Sequence, residues 1–115
     1  MATEDDLRRI ALSLPETFER ATYGKRPSWR VRDHGFVGIW KDEQSAVITI
    51  ADADQRRTRL AEEPEKYFTT PHYGDGPHLL VRLDLVDAAE LRDLVIESWR
   101  CYAPDDLVAV FDADL

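Results

Sequence analysis

Cysteine is nearly missing from this chain: Cys101 is the only one among 115 residues. No intrachain disulfide is therefore available, and zinc sites built from several thiolates are excluded. A lone cysteine could serve as a nucleophile, but the favoured reading of Cys101 is a small apolar residue buried on a helix. No apolar run approaches the ~20 residues needed to span a bilayer. The acidic opening, Met1 to Asp6, lacks the basic-then-apolar order of a signal peptide, so the expected location is cytoplasmic. Also missing are a Gly-rich phosphate loop, a Gly-x-Ser-x-Gly elbow and a His-Glu-x-x-His pair. No catalytic role, cofactor or metal is therefore expected. Internal repeats, linkers and low-complexity segments are absent too, and the whole of 1–115 reads as one domain.

What is present is enough for a core. Hydrophobic residues make up 43% of the chain and aromatics 10%, which argues against disorder. The net charge of −8 disfavours nonspecific attraction to nucleic acid or anionic lipid. The charge is uneven, however. From Arg20 to Arg32 there are five basic residues and no acidic one, so this window carries +5 and the rest of the chain −13.

Periodicity predicts the elements. Thr3 and Asp6 form a capping box, and Leu7, Ile10, Ala11 and Leu14 follow at helical spacing until Pro15. Four short strands are expected next, at Thr17 to Tyr23, Ser28 to Arg32, Phe36 to Lys41 and Ala46 to Ile50. Alternation puts Trp29 and Val31 on one face of the second strand and Arg30 and Arg32 on the other. Asp33-His34-Gly35 reads as a turn with Gly35 at positive φ. Asp52 or Asp54 caps a second helix that ends before Pro64 and carries Arg56, Arg57 and Arg59 on its exposed part. A fifth strand is expected over Tyr67 to Tyr73, broken or at an edge because of Pro71. A sixth follows at Leu79 to Leu83. Asp87, with Glu90, opens a final long helix with Leu91, Leu94, Val95, Trp99 and Tyr102 inward. The acidic tail after Pro104 either packs as a short element or frays. This order predicts an α+β, two-layer sandwich: an antiparallel sheet with helices packed on one face and the other face partly open.

Four groups are candidates for function. Lys25, Arg26, Arg30 and Arg32 lie on one hairpin, and their donors suit phosphate. The competing reading, a solvated face paired with the abundant carboxylates, is favoured. Arg56 and Arg57, with Arg59, could enlarge that basic patch or be ordinary surface, with Arg59 paired to Glu63. His72 and Tyr73, with His78, flank a Gly/Pro-rich loop and could wall a small-ligand pocket, or His72 could hydrogen-bond the loop backbone. Trp29, Trp40 and Trp99 are expected in the core rather than stacked on bases.

Leu14-Pro15, the run Gly24 to Val31, the run Tyr67 to Tyr73, Leu80 to Leu83, Ser98-Trp99-Arg100 and Ala103-Pro104 resemble the MmcQ/YjbR family across nearly the whole chain. That resemblance implies a fold similar to frataxin (CyaY-like) and secretion-chaperone domains. It also implies DNA binding through paired β-wings, and it offers no catalytic motif to carry over. The expected function is a non-enzymatic domain contacting DNA through Lys25, Arg26, Arg30, Arg32, Arg56 and Arg57. The alternatives are a protein-interaction or chaperone-like module using the open sheet face or the tail around Leu107 to Phe111, and a small-ligand binder using His72 and Tyr73. The tests are a shared basic surface for the first, an apolar patch for the second and a concave pocket walled by His72 for the third.

Overall fold

The computed structural model describes residues 1–22 and 24–115. Helix α1 (Glu4–Leu12) starts where expected. The Thr3 N–H donates to Asp6 Oδ2 (2.9 Å), and the Asp6 N–H donates back to Thr3 Oγ1 (3.1 Å). Its buried face is Leu7, Ile10 and Ala11. Strands β1 (Thr17–Ala21), β2 (Pro27–Val31), β3 (His34–Ile39) and β4 (Ser45–Thr49) form an antiparallel meander. Helix α2 (Ala53–Glu62), β5 (Tyr67–Phe68) and β6 (His78–Arg82) follow, then a short 3-10 turn (Leu83–Leu85), α3 (Ala88–Arg100) and α4 (Asp105–Ala113). The sheet order is β1-β2-β3-β4-β6-β5, so β6 pairs with β4 and leaves two-residue β5 at the edge. The fold is α+β. No helix among the described residues is long and apolar enough to cross a membrane.

The core lies between the sheet and α1, α3 and α4. Trp29, Val31, Ile48, Leu79 and Val81 from the strands meet Leu7, Leu91, Leu94, Val95, Trp99 and Leu107 from the helices. Burying each large apolar side chain contributes roughly 1.5–3 kcal/mol, so this cluster carries the fold. The tail is α4 rather than a frayed end. Its Phe111 ring sits 5.3 Å from Trp99, and Leu107 is buried. Lys66 Nζ ties the entry of β5 to α3 through Glu90 (2.7 Å) and to the end of α2 through Glu63 (3.1 Å).

Several expectations require correction. The first strand stops at Ala21; Tyr23, its expected end, lies outside the described residues. The left-handed residue between β2 and β3 is Arg32 (φ 51°), while Gly35 belongs to β3. The fifth strand is only Tyr67–Phe68, because the chain turns at Thr70, whose carbonyl accepts from the Tyr73 and Gly74 N–H groups. Leu83 falls in the 3-10 turn. Cys101 caps the C-terminus of α3 and is exposed, since the helix ends just as it turns away from the core.

One irregularity shapes the site. The β2–β3 register shifts between Trp29 and Arg30, a β-bulge that sets Phe36 apart from the paired residues. Beyond it β3 and β4 diverge, and only Gly38↔Val47 and Ile39↔Ala46 pair. The buried hydroxyl of Ser98 on α3 fills the gap. It donates to the Phe36 carbonyl and accepts from the Thr49 N–H (2.9 Å). A bulge of this kind bends its strand and re-aims neighbouring side chains.

Candidate functional site

The sheet face turned away from the helices carries Ser28 and Arg30 of β2, Gly38 of β3, Val47 and Thr49 of β4 and His78 of β6, with Trp40 just beyond β3. These residues line a concavity of about 410 Å³, together with Arg26, His72 and Tyr73. Gly38 is in the middle of its strand, and a Cβ there would press to 3.3 Å from Ser28 Cβ. A glycine at such a position keeps the floor low and lets another molecule approach the backbone closely.

The loop after β5 forms one wall. Tyr73 is its hub, with ring centroids 5.4 Å from Trp40, 4.8 Å from His72 and 5.2 Å from His78. Arg56 holds this loop in place. Its side chain is only 6% exposed; Nε donates to the His78 carbonyl (2.8 Å), and Nη2 donates to the Gly74 carbonyl (2.8 Å) and Thr69 Oγ1 (3.2 Å). The guanidinium is thus spent on backbone, and the expectation of an exposed Arg56 is overturned. Arg59 on the same helix donates to the Tyr67 hydroxyl of β5 (3.2 Å) and pairs with Glu97 of α3 (3.6 Å) instead of Glu63.

The opposite wall is cationic. The β1–β2 turn closes with the Thr22 N–H donating to the Arg26 carbonyl (2.8 Å) and the Lys25 N–H to the Thr22 carbonyl (2.9 Å). Lys25 adopts a left-handed φ of 61° there. Arg26 lies across Gly24, where any Cβ would collide with its guanidinium. Arg26 Nε is shut off from solvent without a hydrogen-bond partner among the described residues. A buried unsatisfied donor on a charged group is costly. Arg30 also lines the concavity and donates through Nη2 to the Asp33 carbonyl.

Titration behaviour follows from this environment. Burial pushes the His78 imidazole below its ordinary value, and the positive charges of Arg56 and His72 push it further in the same direction. Burial raises the Tyr73 phenol, with Arg26 opposing. His78 Nδ1 lies 3.2 Å from Thr49 Oγ1, which lies 3.0 Å from the Tyr102 hydroxyl. Tyr102 in turn stacks on His34 at 5.7 Å. A polar chain therefore crosses the sheet at the splay between β3 and β4.

The six basic candidates do not form one surface. Arg26 and Arg30 share the concavity, with exposed Lys25 in the adjoining turn. Arg32 pairs with Glu16 (2.8 Å) and Asp106 (3.2 Å), and Arg57 pairs with Asp54. His72 and Tyr73 do meet, on the wall expected of a pocket. Sequence reasoning missed Trp40, which is half-buried and lines the concavity instead of the core. Counting alternation from Gly38 would have placed Gly38 and Trp40 together on the open face. It also left Thr49, Ser28 and Gly38 out of the site.

The YjbR family model matches residues 12–101. The chain belongs to the YjbR family. Uncharacterised proteins of Mycobacterium bovis and Mycobacterium tuberculosis are each 32% identical over 131 residues, spanning 99% of this chain and 98% of theirs. The crystal structure of Deinococcus radiodurans protein DR2400, a DUF419 domain, superposes with a TM-score of 0.72 at 20% identity, covering 86% of this chain and 77% of that one. At that identity the likeness speaks for the fold alone.

Proposed function

We propose that this YjbR-family protein is a ligand-binding domain that takes a small anion into the concavity on the open face of its sheet. One observation carries the reading: two arginines, two histidines and several aromatics, without a carboxylate, line a concavity of about 410 Å³ on a chain of net charge −8. Field lines from like charges in a low-dielectric cleft concentrate the opposite charge there. The volume falls within the range of small-molecule pockets, and polar groups converge on one side of it.

Binding of duplex DNA ranks second. It draws support from Lys25, Arg26 and Arg30 on the β1–β2 hairpin. Against it, Arg32 and Arg57 are committed to carboxylates and Arg56 to loop carbonyls. Three remaining phosphate contacts would give a salt slope of only about −2.7. The apolar tail, the other surface considered for partners, turns Leu107 and Phe111 inward against Trp99.

Calorimetric titration with inorganic pyrophosphate at low ionic strength tests the proposal. Saturable one-to-one binding is expected, lost in Arg26→Met and in Arg30→Met. Absence of binding overturns it. So does tighter binding of a DNA duplex that depends on Arg32, because Arg32 lies outside the concavity.

A further inference from the structure

The two walls of the concavity differ in chemistry, and that difference says more about the ligand than its charge. On one side are Arg26 and Arg30. On the other, Tyr73 is ringed by Trp40, His72 and His78, each within 5.4 Å of it centroid to centroid. Between the walls the floor is Gly38, Val47 and Thr49, low enough for a flat group to lie on the sheet. Trp40 and Tyr73 are only half-buried, and His72 is exposed, so ring surface remains uncovered. Contiguous uncovered ring faces rimmed by polar residues are the kind of surface that binds another molecule.

We infer that the ligand is an aromatic phosphate of the nucleoside monophosphate class, its phosphate held by Arg26 and Arg30 and its base lying against the Tyr73–Trp40–His72 wall. This rests on the anion-binding reading above. A phosphate dianion can accept from both guanidinium groups at once, with each presenting a planar fork of donors. Aromatic side chains hold bases of any sequence, because every base has a π-face. Discrimination between bases is weak in such a site, as stacking rather than edge hydrogen bonding holds them.

The test compares four probes by isothermal titration with the full chain: inorganic phosphate, ribose 5-phosphate, adenosine monophosphate and uridine monophosphate. Both nucleotides should bind roughly five- to a hundredfold more tightly than ribose 5-phosphate, the range that base–aromatic stacking gives. Tyr73→Leu should bring both nucleotides down to the affinity of ribose 5-phosphate. Arg26→Met should weaken all four. Because Tyr73 packs its loop, Trp40→Leu serves as a second variant with the same expected loss. Equal affinity for nucleotides and ribose 5-phosphate overturns the inference while the anion-binding reading stands. Failure of all four probes overturns both. A nucleotide advantage that survives both aromatic variants overturns the inference as well.

Discussion

Replacing Arg56 by methionine tests whether the site is built by the fold or merely lies upon it. The substitution keeps an unbranched apolar stem but removes three hydrogen bonds: to His78 O, Gly74 O and Thr69 Oγ1. A hydrogen bond to a charged group is worth about 1.5–3 kcal/mol, and water recovers part of it for carbonyls near the surface. The expected loss is therefore about 2–3 kcal/mol, less than the sum of three such bonds. At this chain length that corresponds to a fall in Tm of about 10 °C. Urea denaturation should show a lower midpoint with an unchanged slope. Amide exchange should accelerate at Tyr73, Gly74 and Gly76, whose N–H groups close the loop turns. The His78 imidazole should also titrate closer to its ordinary value, because both the Arg56 charge and the burial of the ring decline. A loss below about 1 kcal/mol with unchanged loop exchange would refute the claim that Arg56 anchors this wall.

Three further outcomes follow from named contacts. His78 has a depressed folded pKa, so protons favour the unfolded chain; stability should be full above pH 6.5 and decline as pH falls from 6.5 through the folded value. His78→Gln should flatten that decline in urea titrations at a series of pH values. Gly24→Ala should displace the flexible Arg26 guanidinium, weakening pyrophosphate binding at least fivefold while the urea midpoint moves little. Ser98→Ala should cost about 2–3 kcal/mol, because the Phe36 carbonyl and the Thr49 N–H are both left buried without their partner.

Much of the fold was legible because local signals agreed with one another. The Thr3–Asp6 box, the Leu7/Ile10/Ala11 stripe and the Trp29/Val31 alternation each reflect periodicities that tertiary packing preserved. The errors lie where a long-range contact overrode a local pattern. Thr70 and Pro71 broke the fifth strand because the loop must turn back to reach Arg56. Arg56 looked exposed because helix periodicity cannot show a carbonyl twenty-two positions away that claims it.

The same logic explains why the site was only half visible. Two separate candidates, the basic hairpin and the His72–Tyr73 pair, proved to be opposite walls of one concavity. Nothing in their spacing relates residue 26 to residue 73. The link is the sheet order: β4 pairs with both β3 and β6, so Thr49 and His78 sit at neighbouring register positions. The bulge then turns Gly38 and Trp40 towards the loop. The residues that join the two halves are a glycine, a threonine and a tryptophan, and none of these carries a chemical motif in sequence. A site made this way depends on the fold for its assembly. Its sensitivity to Arg56→Met, far from any ligand atom, should therefore match its sensitivity to changes in the wall itself.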